Sequence, residues 1–359
     1  MNEINLASLP RGCAALCLRA EKVALKYGAA AGKTLLLALS GGGDSVAMTV
    51  IFHILSRRLK INLLAAHINH NLRPEADADA AFSRDLCDWL KIPFFEKSYP
   101  IRELAKEARK GLEETGREKR YEALRELRIN LRADLILIAH QLDDLCEDVM
   151  TRFIRGTGWP GLAGMRVLEA GVFRPLLFVG GEELREFLRE LGFSWREDSS
   201  NADLSFLRNR VRREMIPWLK KENPSFEDNI KRLHTAATFD DEFWRDYLRP
   251  YFDAAVSGMI KLTGGVVIKL PKNTLRLLPA AARLRLYRLI IKAFAKIPPS
   301  GQTRADALFA LDAALREKKS GKRFQFPGNT EALLKDGGIC FYKYADAKGL
   351  EEINSLLKR

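Results

Sequence analysis

Three short apolar runs stand out before residue 150: TLLLAL (34–39), INLLAAHI (61–68) and DLILIA (134–139). Each is apolar on consecutive residues and bounded by polar residues or glycine. That is the pattern of a strand buried on both faces of a parallel sheet, since a half-exposed strand would alternate. IPFFEKSYP (92–100) is a weaker fourth strand. Between the runs the apolar positions change to helical spacing, in DSVAMTVIFHILSRRL (44–59), EADADAAFSRDLCDWLK (75–91) and REKRYEALRELRINL (117–131). Strand and helix alternating in this way predict an α/β domain with a doubly wound, mainly parallel sheet. The residues before the first run read as a helical lead-in.

After about residue 215 the pattern changes. IPWLKKENPS (216–225), punctuated by Pro217 and Pro224, reads as a connector, and SFEDNIKRLHTAATFDDEFWRDYLRPYF (225–252) as a long amphipathic helix. GGVVIKLPKN (264–273) predicts a short strand, while LPAAARLRLYRLIIKAFAKI (278–297) and RADALFALDAALREKK (304–319) predict helices. RFQFPGNTEALLKDGGICFYKY (323–344) predicts two or three short antiparallel strands. The expected division is a catalytic domain over 1–216, a mostly helical linker and substrate-binding region over 217–300, and a small α+β region over 301–359.

In open α/β sheets ligands bind beyond the carboxyl ends of the strands, and three of the runs end in polar clusters. After the first comes SGGGDS: Ser40, Gly41, Gly42, Gly43, Asp44 and Ser45. Glycines let a backbone turn sharply against a ligand, and the helix that follows offers free N–H groups and a positive dipole end. The segment is therefore a phosphate cradle or a capped turn, with Asp44 as a metal ligand or Asp44 or Ser45 as the N-cap. After the second run comes HINHNLR, with His67, Asn69, His70 and Arg73; after the third comes HQLDDLCED, with His140, Asp143, Asp144, Glu147 and Asp148. In DDLCEDVMTRFIR, Leu142, Leu145, Val149 and Phe153 share an apolar helix face, and Asp144, Glu147, Asp148 and Arg152 the opposite one. Carboxylates this dense repel one another, and a Mg²⁺ ion bridging one or two of them to phosphate oxygens would relieve it. Capping and dipole complementation is the competing reading. It weighs least for Asp143 and Asp144, equally for Glu147, and most for Asp148, which reads as part of a solvated face.

Two glycine motifs carry no nucleotide site. GAAAGKT (28–34) is one residue short of a Walker loop and precedes its strand. GTGWPG (156–161) follows a helix and contains Pro160, so it reads as an ordered loop near the site.

Charge narrows the partners. Lys and Arg number 59 against 46 Asp and Glu, a net +13, which favours a polyanion or an anionic membrane surface. Arg117, Lys119 and Arg120 lie beside Tyr121, and Arg208, Arg210, Arg212 and Arg213 have Trp195 and Phe206 nearby. Arginines interleaved with aromatics suit RNA phosphates and unstacked bases. The cysteines at 13, 17, 87, 146 and 340 form no CxxC and no zinc spacing, so they read as reduced thiols. No stretch has the length of a membrane span, and the amino terminus lacks a secretory pattern, so a cytoplasmic location is expected.

SGGGDS is similar to the SGGxDS loop of the PP-loop (N-type) ATP pyrophosphatases. The ordered set HINHNLR, GREKRYEAL, AHQLDDLCEDVMTRFIRGTGWPGLAGM, RPLL and WREDSSNADLSFLRNRVRREMIP resembles the tRNA(Ile)-lysidine synthase family, from about residue 33 to 217. The resemblance implies an ATP- and Mg²⁺-dependent ligation of L-lysine to the wobble cytidine of a CAU-anticodon tRNA(Ile), through an adenylated cytidine. It also implies that Ser40 to Ser45, with His67, His70 and His140, hold ATP. Asp44, Asp143 and Asp144 would meet the metal, and Asp44, Asp144, Glu147 and Arg117 would act in catalysis. Arg120, Arg208, Arg210 and Arg212 would meet RNA. This sequence departs from the family pattern at Asn71, Gly116, Gln141, Leu145 and Asp148. Oligomeric state is left open, a homodimer included. The competing classes are a tRNA sulfur-transferase, disfavoured by the missing cysteine pairs, and a small-molecule synthetase, disfavoured by the +13 charge. A third, an RNA-binding protein with a dead nucleotide site, is disfavoured by the intact acidic helix.

Overall fold

The apolar runs become the centre of a six-stranded sheet in a computed structural model that describes residues 4–71, 76–197, 206–294 and 305–358. Arg73, Arg304 and the 198–205 part of the arginine-rich segment lie outside the described residues. In chain order the first unit contains α1 (Arg11–Lys26), β1 (Thr34–Ala38), α2 (Gly43–Leu59), β2 (Asn62–Asn69), α3 (Ala76–Leu90), β3 (Phe94–Ser98), α4 (Ile101–Ala108) and α5 (Leu112–Asn130). It continues with β4 (Leu135–Leu137), α6 (Leu142–Ile154), β5 (Leu168–Glu169), β6 (Val172–Phe173), α7 (Gly181–Glu190), α8 (Leu207–Arg210) and α9 (Ile216–Glu222). Strand order is β3-β2-β1-β4-β6-β5, parallel throughout except for the β5–β6 hairpin.

The continuous apolar reading of β1 has a direct cause. Leu35 and Leu37 pack into a core with α1, α2, α6 and α7, while Leu36 faces the other way, onto Ala66, Leu124, Leu127, Ile136 and Val172. With helices on both faces, each buried leucine contributes about 1.5–3 kcal/mol. α2 is buried almost all round, through Val46, Met48, Ile51, Phe52 and Leu55, as expected of a central helix. Connections leave β1 toward β2 on one side and pairing with β4 lies on the other, so the switch point of the sheet falls between β1 and β4.

Two expectations change and one element is new. IPWLKKENPS is not a connector throughout: α9 starts within it, with Pro217 in the first turn, where a missing N–H is harmless. Phe153 does not continue the apolar face of α6; it is 63% exposed, while Leu142, Leu145 and Val149 are buried. The hairpin β5–β6, only two residues per strand, had no periodic signal to announce it.

The contacts divide the chain into two units, Met1–His234 and Thr235–Arg359, and the division falls inside α10 (Phe226–Ser257). The second unit is an antiparallel sheet, β7-β8-β11-β10-β9, of β7 (Ile260–Leu262), β8 (Gly265–Leu270), β9 (Arg323–Phe326), β10 (Thr330–Lys335) and β11 (Gly338–Tyr344). Ile268, Leu334, Ile339 and Phe341 pack on α12 (Ala280–Phe294) and α13 (Ala305–Arg316). Val267, Leu333, Cys340 and Tyr342 pack on α14 (Ala347–Lys358) from the other face; α11 (Lys272–Leu277) precedes α12. Inside this unit the buried Asp312 accepts from Arg283 Nε and Nη2 at 2.7 and 2.8 Å and from Tyr287 Oη at 3.2 Å. Removing the carboxylate strands a guanidinium and a phenol in the core. Asp312→Ala is therefore expected to destabilise the second unit by about 3–5 kcal/mol in urea denaturation, and Asp312→Asn, which keeps an acceptor, by less.

Candidate active site

Ser40–Gly42 carry the chain from β1 into α2. Gly41 has φ +86°, a left-handed conformation that a side chain resists. Gly42 is the N-cap of α2 and no side chain caps the first turn. Neither Asp44 nor Ser45 is the N-cap. Ser45 Oγ instead donates to the Gly42 carbonyl at 2.8 Å and accepts from Ser40 N at 3.2 Å, closing the loop on itself. The head of α2 is thus left with unpaired N–H groups and a positive dipole end, an arrangement suited to phosphate.

The loop is held from behind by residues distant in sequence. Trp195 lies 3.4 Å from where a Cβ on Gly43 would stand. Arg196 N donates to the Gly41 carbonyl at 3.0 Å, and its Nε donates to Oδ1 of the buried Asp79 at 2.9 Å. His67 donates its Nδ1–H to the Leu39 carbonyl at 2.9 Å. Burial lowers the basicity of that ring, so His67 serves as a neutral brace for the end of β1.

The second wall is α6. Gln141 caps it: its Oε1 accepts from Asp143 N at 2.6 Å, while Asp144 Oδ2 accepts from Gln141 N at 3.1 Å. Asp144 is 8% and Glu147 1% exposed, and buried carboxylates need partners. Arg208 pairs with both, its Nε 2.7 Å from Glu147 Oε2, and Arg212 pairs with Glu147 and lies 3.6 Å from Asp144 Oδ1. Lys220 Nζ donates to Asp143 Oδ1 at 3.0 Å. Asp44, facing Asp144 and Asp143, has no such close partner among the described residues; burial first and then those carboxylates raise its pKa from 3.8 to about 6, against the opposing pull of Arg185 and Arg212. Asp148 pairs with Arg152 at 2.9 Å, and Arg152 Nη1 donates to the Gly161 carbonyl, so GTGWPG is held on α6.

The remaining predicted residues gather at the ends of β2 and β4. Arg174, 6% exposed, donates from Nε to His140 Nδ1 at 3.1 Å. Arg120 donates from Nε and Nη2 to His70 Nε2 at 3.3 and 3.2 Å. Arg117 is exposed, its guanidinium 5.2 Å from the Tyr121 ring centre. Arg210 is exposed, unlike the half-buried Arg208 and Arg212. Among the described residues, no group of three or more His, Cys, Asp or Glu side chains is arranged to hold a metal ion. Mg²⁺ asks less of a protein, one or two carboxylates beside phosphate oxygens. The mutual repulsion of Asp44 and Asp144 fits that demand. Cys13, Cys17, Cys87 and Cys146 are buried, which pushes their thiols up to about 12 and unsuits them to nucleophilic chemistry.

Sequence reasoning missed Arg174, Lys220, Asp79 and the seating of Trp195 and Arg196 against the loop. Arg174 and the pair Trp195–Arg196 lie in motifs quoted above, RPLL and WREDSS. Asp79 sits in an ordinary helix pattern and Lys220 in the stretch read as a connector, and neither gives a sign of its partner.

The PP-loop domain family matches residues 18–219. The tRNA(Ile)-lysidine synthase of Nitratidesulfovibrio vulgaris is 40% identical over 318 residues, covering 85% of this chain and 90% of that protein. The chain belongs to the tRNA(Ile)-lysidine synthase family. A second tRNA(Ile)-lysidine synthase, from Geobacter sulfurreducens, is 32% identical over 90% of this chain and 68% of its own. Among solved structures, the U34-tRNA thiolase of Methanococcus maripaludis aligns with a TM-score of 0.55 over 63% of this chain and 79% of that one; at 19% identity it shares the fold alone. The resemblance read from SGGGDS and its companions is borne out, as is the α/β fold class with its small second sheet. The chain is an enzyme of the lysidine synthase type on an ATP-binding PP-loop domain.

Three of the departures from the lysidine synthase pattern have local reasons, and at Gly116 a side chain would also fit. Asn71, in place of a glycine, has φ +49°, and asparagine is among the side chains that best tolerate the left-handed region. Gln141, in place of a histidine, works as an N-cap acceptor. Leu145 is fully buried in the apolar core of the α6 side. A Cβ on Gly116 would meet His70 only at 3.8 Å, an ordinary contact.

A pH consequence follows from Asp44. Between 3.8 and about 6 the folded chain keeps a proton that the unfolded chain has released, so through this group stability falls as pH rises across that window and stays lowered above it. The ligand-free Asp44→Asn variant is expected to exceed the parent by about 2 kcal/mol in urea denaturation near pH 8, and by nothing below about pH 4.

Proposed function

We propose that this enzyme joins L-lysine to C2 of the wobble cytidine, C34, of tRNA(Ile) with the CAU anticodon. In the first step O2 of C34 attacks the α-phosphorus of ATP and pyrophosphate leaves. In the second the lysine ε-amine attacks C2, AMP leaves, and lysidine remains. The observation that carries this reading is the uncapped head of α2 opposite a carboxylate pair. Backbone N–H groups would receive phosphate, and Asp44, raised in energy by burial and the neighbouring carboxylates, would receive a cation together with Asp144. Bound there, with Asp143 at its edge, Mg²⁺ would offset the charge of the triphosphate as pyrophosphate departs.

Ser40 to Ser45 hold the β- and γ-phosphates on this reading, and Arg117 and Arg120 flank the reacting base. RNA phosphates meet Arg117, Arg120 and Arg210, which are exposed. Arg208 and Arg212 act first as counter-ions of Asp144 and Glu147, and meet RNA from that position. A cytoplasmic location accompanies a tRNA substrate. The sulfur-transferase alternative draws nothing from the buried cysteines.

The test is labelling. Purified protein with ATP, Mg²⁺, radiolabelled L-lysine and a tRNA(Ile)(CAU) transcript is expected to give acid-precipitable label, with AMP released only when all four are present. A transcript substituted at C34 is expected to give none; equal labelling of both overturns the assignment. Asp44→Ala is expected to lower turnover by at least about 100-fold with an unchanged circular dichroism spectrum.

A further inference from the structure

Two histidines, at the ends of β2 and β4 on either side of β1, are each met by an arginine through one ring nitrogen. Arg174 Nε donates to Nδ1 of His140, and the same guanidinium is fixed by a 2.8 Å bond from Nη1 to the Arg166 carbonyl. Arg120 donates from two nitrogens to Nε2 of His70. A guanidinium has donors only and keeps its proton at any working pH. The nitrogen that faces it must therefore present a lone pair, and the proton of each neutral ring must sit on the other nitrogen. For His140 that is Nε2, which makes no hydrogen bond among the described residues. For His70 it is Nδ1, which is buried and has no partner. Thr115 Oγ1, one residue before the Gly116 that packs near this ring, is also buried without a partner. Buried polar atoms left unpaired cost stability and mark places that a ligand or water completes.

We infer that Arg174 and Arg120 are positioning residues that lock His140 and His70 as neutral imidazoles of opposite tautomer, presenting Nε2–H of His140 to a carbonyl or phosphoryl oxygen of the substrate and turning Nδ1–H of His70 inward, toward Gly116. This rests on the proposed reaction for what that oxygen belongs to, C34 or the α-phosphate, and on geometry alone for the tautomers. The surroundings keep the rings uncharged. Arg174, Arg117, Arg208 and Arg120 oppose protonation of His140, as do Arg120 and His67 for His70, and burial adds the largest share in both. Neither ring acts as a general acid or base; His140 is a fixed donor that needs no proton transfer as charge develops on the acceptor.

The experiment is two-bond ¹H–¹⁵N correlation NMR of the full chain with ¹⁵N-labelled histidine at neutral pH, without ATP, tRNA or lysine. Single His→Gln variants assign the signals, there being five histidines in all. His140 is expected to show a pyridine-type Nδ1 and pyrrole-type Nε2, and His70 the reverse. Arg174→Met is expected to abolish the His140 pattern without disturbing that of His70, and Arg120→Met the converse. In lysine-labelling assays Arg174→Met is expected to lose about tenfold or more in kcat, with Arg174→Lys, which retains a donor, recovering part of it. A doubly protonated ring, the opposite tautomer, or a tautomer indifferent to its arginine overturns the inference; should Arg174→Met not fold, the Arg174→Lys spectrum and Arg120→Met decide. Correct tautomers in a chain that labels no tRNA would sink the proposed reaction and leave the positioning intact.

Discussion

Two helices start at adjacent strand ends and both bring carboxylates to their first turns: Asp44 on α2, Asp143 and Asp144 on α6. Each placement is favourable by itself, because a helix head stabilises an anion. Put side by side at the switch point of the sheet, they oppose one another. The molecule settles most of that conflict internally. Arg208, Arg212 and Lys220 approach from the segment after α7, so Asp144, Glu147 and Asp143 are paired while Asp44 alone is left elevated. The remaining unbalanced charge sits beside the remaining unpaired backbone donors. On the proposed function a magnesium nucleotide would supply both complements at once, a cation for the carboxylate and an anion for the helix head.

The frame of this site was legible in the chain because its causes are local. β1 is apolar on successive residues since Leu36 and its neighbours face opposite helical layers, and SGGGDS is rich in glycine since Gly41 must turn left-handed. The β8–β11 pairing was beyond reach, its partners lying about seventy residues apart with unremarkable alternation in each. The same limit governs side chains. Arg208 and Arg212 read as basic residues suited to RNA, yet their spacing of four equally suits a pair of carboxylates three apart on another helix, and nothing nearby tells the two apart. Arg174 was still more hidden, a single arginine 34 residues from the histidine it orients.

Departures from the family pattern fall where the demand is generic. A left-handed backbone position takes asparagine for glycine at 71, and a helix cap takes any acceptor that reaches, as Gln141 does.

The brace of Trp195 and Arg196 on the Gly41–Gly43 loop carries a consequence for the life of the chain. The loop lies near the amino terminus, and its support arrives some 150 residues later, after β1, β2 and β4. During synthesis the sheet can assemble first, with the loop in place but unbraced. The contacts that close the loop form only once residue 196 is available, when Asp79 also gains its guanidinium partner. A nascent or truncated chain ending before that point carries the whole SGGGDS sequence without its working shape.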